Sequence, residues 1–465
     1  MEELENPRLV RLWILAGLFW AMAVPAVWIA LSFPLHSPGI LPEEPWLSFG
    51  RLWPVASNAL VFGLFSSLAF GLCAHMVPRL TGVPMAFGGL GWLSWLLWNA
   101  GVLLGCALLA TDGGRGIPGF DRPAWMDPLF SGSQGIELGE FPLGIDILLT
   151  LCFLLTTVQV IVTLLRRAEP MMYASLWYTA GALIWTTLTY GLGNLLVPHL
   201  IGGLRETALH GAYLSNLLGL WVVPMGTAAA YYFVPPAADA PLFSHRLAFI
   251  GFWTLVLFQP IVSVAPYLLT PIPEWQQTLS IVAGVCVLLP AWATVCNVFI
   301  TLWGRWDKVR TSAALKFLAL GTAFYGVGSL MAATLSFRDV QQLLQFTSYP
   351  DAAWLAVAGG GGVLWIVGGA YAAWERTAGR ELFSEDLGHW HFCLTLLGLG
   401  GLVIVLAAAG LVQGNMLRYG ADFVDALAAQ RWAWFARTGA GVLLALGGML
   451  FFFNLLLTTR HAAEA

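Results

Sequence analysis

The sequence predicts an all-α polytopic membrane protein of about twelve transmembrane helices. Hydrophobic residues make up 58% of its 465 positions. Charged residues make up only 10%, against about 25% in ordinary soluble domains. Apolar runs of about 20 residues, the length that crosses roughly 30 Å of hydrocarbon, recur along the whole chain. They fall near 9–33, 55–77, 89–110, 141–166, 174–198, 208–234, 246–270, 277–304, 314–337, 352–374, 389–413 and 432–458. No soluble domain and no internal repeat stand out between them, so residues 1–465 read as a single transmembrane domain.

Orientation follows from Lys and Arg, because cytoplasmic loops retain positive charge. Placing the N-terminus inside puts thirteen of the 21 basic residues on the inner side and eight on the outer. Both termini are therefore expected in the cytoplasm of a prokaryote, with the chain integral to the cytoplasmic membrane. The acidic start Met1-Glu2-Glu3-Leu4-Glu5 lacks the basic region of a cleaved signal, so the first span is expected to be retained. A net charge of -4 with no basic run gives no reason to expect nucleic acid. All six cysteines fall inside spans and read as small buried hydrophobes rather than disulfides or a metal cluster.

Several words stand out in chain order. After the first span comes Gly50-Arg51-Leu52-Trp53-Pro54-Val55-Ala56-Ser57-Asn58-Ala59, and after the fourth Arg166-Arg167-Ala168-Glu169-Pro170-Met171-Met172-Tyr173. The stretch from Asp112 to Gly139 is the longest outer loop, broken by glycine, proline and serine, and reads as a cap or docking surface. The middle of the chain holds Ser215-Asn216-Leu217-Leu218-Gly219, Tyr231-Tyr232-Phe233-Val234-Pro235, Gln259-Pro260 through Ala265-Pro266, Pro273-Glu274-Trp275 and Trp306-Asp307-Lys308-Val309-Arg310-Thr311. Toward the end come Ala323-Phe324-Tyr325-Gly326, then Ser348-Tyr349-Pro350-Asp351 running into Ala356-Val357-Ala358, and finally His389-Trp390-His391-Phe392.

In order and spacing these words resemble subunit I of the cbb-type haem-copper cytochrome c oxidases over nearly the whole chain. The resemblance implies that subunit's helical bundle. It also implies which positions would carry chemistry, and this sequence departs from the family at each of them. Where the family has a low-spin haem histidine, the chain has Ala56. Its His-X-His at helix X falls on Ala356 and Ala358. Its three copper histidines fall on Ser215, Ala265 and Pro266, and its copper-linked tyrosine on Gln259. Iron in haem needs imidazole, thiolate, thioether or phenolate, and copper needs imidazole or sulfur. None of the six replacements supplies such a donor, so neither haem nor copper is expected in this chain.

Of the eight histidines, His210 lies five residues before Ser215, and His389 and His391 have the spacing of a ligand pair. An interfacial role for the first and a structural role for the pair weigh more than metal binding. Intramembrane amides such as Asn58, Gln159, Asn297 and Asn454 read as interhelical hydrogen bonders. Asp146 reads as interfacial. Three functions remain in view. The first is a cofactor-free structural subunit of a respiratory electron-transfer complex, with c-type haem in a membrane-anchored cytochrome partner docked near the long outer loop. The second is an active oxidase or nitric oxide reductase using other haem ligands. The third is a quinone or lipid binder. The vacated interior is expected to close, with Gly359 to Gly362 admitting neighbouring helices and Trp53, Trp221 and Trp354 filling space.

Overall fold

Helices begin where a short polar side chain takes up an N–H that the first turn leaves free. In the computed structural model, which describes residues 4–37, 39, 44–111, 123, 127–130 and 137–460, the Asn6 side chain accepts from the Leu9 N–H at 3.2 Å. Ser244, Ser312 and Ser384 cap later helices in the same way. Eleven helical runs are long and apolar enough to cross a membrane: α1 (Pro7–His36), α2 (Phe49–Thr81), α3 (Gly88–Ala110), α4 (Leu143–Leu165), α6 (Leu204–Ala237), α7 (His245–Tyr267), α8 (Glu274–Leu302), α9 (Ala313–Thr334), α10 (Tyr349–Ala378), α11 (Glu385–Arg418) and α12 (Phe423–Thr459). The remaining expected span, α5, is a helical run over 174–200. Its last turns are a wide segment, Gly191–Leu196, and the short helix Val197–Leu200.

The core sits around α2, α6 and α10, whose apolar stretches are the most buried of the spans. Trp98, Phe153 and Trp221 pack edge to face there, with ring centroids 4.9 and 5.2 Å apart. The Trp221 indole N–H donates to Ser66 Oγ at 2.9 Å, which satisfies both groups away from water.

A repeated clamp of side-chain-to-backbone bonds joins three helical hairpins. Before α7, the Phe243 N–H donates to Thr301 Oγ1 and the Ser244 N–H to Asn297 Oδ1, while Asn297 Nδ2 donates back to the Ser244 carbonyl. Before α11 the same bonds run from Phe383 and Ser384 to Thr458 and Asn454. Before α3 the Ala86 N–H donates to Thr163 Oγ1, and Gln159 Nε2 donates to the Phe87 carbonyl. Each amide and its threonine stand four residues apart on the second helix, so they share one face. They take up backbone groups that a helix start cannot pair by itself.

Two other expectations change. Cys73, Cys106 and Cys152 are buried and free, but Cys296 and Cys393 lie on exposed helix faces. Asp146 is fully buried, and Tyr190 donates to it at 2.7 Å, so it is an internal polar link. On the same side of the bundle Asn58 Nδ2 donates to Glu140 at 2.8 Å, and Tyr213 donates to the Leu138 carbonyl at 2.6 Å. These bonds pin the end of the long loop before α4 to α2 and α6. Residues 112–122, 124–126 and 131–136 of that loop lie outside the described residues, as does His461.

Replacing Asn297 or Asn454 with alanine should lower the thermal midpoint of the purified chain. Each change leaves a half-buried N–H and carbonyl unpaired, at up to about 1–3 kcal/mol per group, whereas Asn415→Ala, on an exposed turn of α11, should be neutral. Burial pushes the Glu140 carboxyl, just outside α4, up to about 7 from an ordinary 4.5, and the bond from Asn58 draws it back only in part. The folded chain therefore holds a proton that the unfolded chain releases. The resulting stabilisation is complete below 4.5 and is lost as pH rises through about 7. Thermal unfolding at about pH 5 and about pH 8 should show that loss, and Glu140→Gln should flatten it.

Candidate functional site

The helices that carry the six departed ligand positions depart from regular α geometry close to them. Ala56 is followed by wide turns at Ala59–Phe65, and Ser215 by wide turns at Leu218–Val222. Ala356 and Ala358 lie inside a wide segment, Leu355–Val363, and Ala265 and Pro266 in a tight one, Gln259–Tyr267. Wide turns inside helices collect at functional positions, because they re-aim side chains. Here the re-aimed positions carry small groups without donor atoms.

The structure brings Ser215, Ala265 and Pro266 together on the wall of one cavity of about 390 Å³. Gln259 lies between them. Its Nε2 donates to the Ser215 carbonyl at 3.0 Å and to Ser215 Oγ at 3.1 Å, which ties α7 to α6. Gly219 is what admits it, since a Cβ there would stand 2.1 Å from Gln259 Cδ. Pro260 and Pro266 carry no N–H, so carbonyls in this tight stretch must find donors elsewhere. Two glutamines supply them from the short segment after α9: Gln341 Nε2 donates to the Ala265 carbonyl, and Gln345 Nε2 to the Pro266 carbonyl at 3.0 Å.

Ala56, Ala356 and Ala358 are all buried. They do not border the cavity themselves; neighbours Trp53, Ser57, Leu355 and Val357 do. A second cavity of about 130 Å³ runs beside Leu355 and Gly359 toward α11 and α12. The interior has thus closed only in part. Glycines 360 and 362 admit Phe324 and Val222, whose atoms would lie 2.4 and 2.3 Å from an added Cβ. Trp221 fills space in the aromatic core, as expected, but Trp53 and Trp354 line the larger cavity rather than plug it.

The remaining histidines do not gather there. His36 hydrogen-bonds Ser37 and Thr438 and stacks on Phe435. His75 lies 2.7 Å from Glu5, which also accepts from Arg79 at 2.7 Å. The His75 contact is close but lacks aligned hydrogen-bond geometry. Burial alone would raise the Glu5 carboxyl, yet His75 and Arg79 outweigh it and hold it near 2. His210 packs beside Tyr213, and His245 beside Tyr173. His391 borders the smaller cavity with Nδ1 2.9 Å from the Tyr371 hydroxyl, while His389 borders neither. Among the described residues no three His, Cys, Asp or Glu side chains are grouped as metal ligands. Among the described residues, the larger cavity is lined by amides, hydroxyls, carboxylates, a guanidinium and the Tyr325 phenol; these offer copper no imidazole or sulfur, and haem iron no donor type but that phenol.

Charged groups near this cavity escaped the sequence reading. Glu137, Asp351 and Arg437 all line it, and they come from an outer loop, α10 and α12. The guanidinium of Arg437 lies over Trp28 at 4.7 Å and Trp53 at 5.8 Å from the ring centroids. Its Nε and Nη2 are buried without a hydrogen-bond partner. The signal available in sequence was an arginine inside a span, which is rare enough to mark a site.

A model of the family described as cytochrome c and quinol oxidase polypeptide I matches residues 8–443. The chain is 27% identical over 470 residues to cytochrome c oxidase subunit 1 of Rhodobacter capsulatus, covering 96% of this chain and 84% of that protein. It is 25% identical over 475 residues to the Cbb3-type cytochrome c oxidase subunit CcoN1 of Stutzerimonas stutzeri, covering 98% and 96%. Its fold matches a chain in the cryo-EM structure of a heme-copper terminal oxidase dimer with a TM-score of 0.77 at 15% identity, over 97% of this chain and 84% of that one. From the first span to the last, this chain belongs to the cytochrome c and quinol oxidase polypeptide I family.

Proposed function

We propose that this subunit I-like membrane protein is a cofactor-free, structural member of a respiratory electron-transfer complex, with the c-type haem held in a membrane-anchored cytochrome partner. The observation that carries this reading is that, among the described residues, the cavity at Ser215, Ala265 and Pro266 has no histidine, cysteine or methionine on its wall. The bundle and its interhelical bonds nevertheless persist, which supports a use for the shape itself. In this reading both termini face the cytoplasm of a prokaryote, and the partner docks on the outer face.

His391 favours a second reading, in which one haem is ligated beside the smaller cavity. Against it, the His391 Nδ1 engages Tyr371, and Phe317 and Phe451 pack on the ring with centroids 4.5 and 5.0 Å away. Those contacts fill the space around the imidazole.

The absorbance spectrum of the purified chain separates the two. We expect no Soret band and no stoichiometric iron or copper; a haem b spectrum at one equivalent would sink the cofactor-free reading. Ser215→His alone should not retain copper, since a single imidazole leaves the remaining coordination positions without donors. Purification from native membranes should return the chain with a c-type cytochrome, and recovery of a monodisperse chain free of haem proteins would rule the partner out.

A further inference from the structure

The larger cavity has both charged and apolar groups on its wall. Among them are half-buried Arg437 and exposed Asp351 and Glu137. Arg437 and Asp351 attract one another across this space. Even so, Nε and Nη2 of the guanidinium have no partner. Gln341 is 3% exposed, its amide nitrogen is committed to the Ala265 carbonyl, and its Oε1 is buried without a donor. Its apolar lining reaches α8 and α9 at half-buried Val287 and Leu288 and exposed Ala332, with Ser329 and Ser336 beside them. The outward faces of these helices carry Leu289 and Leu330, both open to hydrocarbon.

A molecule completing this site must offer an anion to a guanidinium, N–H or O–H donors to two carboxylates and an amide oxygen, and a hydrocarbon portion. Unpaired buried charge is strongly unfavourable, and guanidinium pairs best with phosphate or carboxylate through two parallel bonds. A neutral quinol oxygen would give Nε and Nη2 of Arg437 no charged acceptor. We propose that the cavity binds an aminophospholipid of the phosphatidylethanolamine type, its phosphate on Arg437, its ammonium toward Asp351, Glu137 and Gln341 Oε1, and an acyl chain along the apolar lining. This rests on the cofactor-free reading, because a haem in the same space would exclude the lipid. The lipid would hold α10 and α12 apart where no cofactor does so.

The test is native mass spectrometry of the full chain after exchange into detergent with equal amounts of phosphatidylethanolamine and phosphatidylcholine of matched acyl chains. The choline head group has phosphate and positive charge but no N–H donor. We expect about one ethanolamine lipid retained per chain and at least about a tenfold preference over choline, the effect of one charge-assisted hydrogen bond. Arg437→Gln should remove retention, and Asp351→Asn should reduce the preference. Ala332→Trp, at the exposed border, leaves every charged group in place and should also lower retention. It carries the test if either charge variant fails to elute as a single species. Equal retention of the two lipids, extraction of a quinone instead, or no bound lipid would overturn the proposal. A visible spectrum of the same sample separates the causes: a Soret band means the cofactor-free reading failed, and its absence with no ethanolamine lipid means that this inference alone failed.

Discussion

Inside hydrocarbon a backbone N–H or carbonyl has no water to turn to, so each break in helical pairing must be met by a protein group. This constraint explains most of the polar residues that survive in the bundle. The hairpin clamps at Thr163, Asn297–Thr301 and Asn454–Thr458 pair the backbone at helix starts. The tight stretch at Gln259–Tyr267 is served in the same way by Gln341 and Gln345. At this break in helical pairing, amide side chains supply the donors that the backbone lacks.

The bundle was legible because burial in a membrane is written locally. An apolar run of sufficient length is its own evidence, and even α5, broken by wide turns at Gly191–Leu196, keeps its place in the count. The clamps were not legible. They pair side chains with backbone atoms more than 50 residues away, and one copy uses glutamine where the other two use asparagine. Asp146 was misplaced for a related reason. Its position in the first turn of α4 suggested an interface, and only the arrival of Tyr190 from α5 shows that the carboxylate is internal.

The site was half legible. Collinear words located Ser215, Ala265 and Pro266, and the fold brings those three to one wall. Closure of the interior was judged from side-chain volume and the instability of a dry void. That reasoning overlooked two features of this chain. Its charged groups on the cavity wall cannot be buried against apolar filler, and the same wall reaches the exposed side of α9 at Ala332.

Arg437 sharpens the point. Two tryptophan faces, a carboxylate on another helix and two unpartnered N–H groups define a place for a cation that is held but not neutralised. Leucine at this position would pack against Trp28 and Trp53 without any desolvation of charge, so packing alone gives no reason for the guanidinium. A buried cation without a direct partner is explained more economically by an anion that enters from outside the chain. The surviving framework and the surviving charge then have one physical origin: a space between α6, α7, α10 and α12 whose walls are built by the protein and whose contents are supplied by something else.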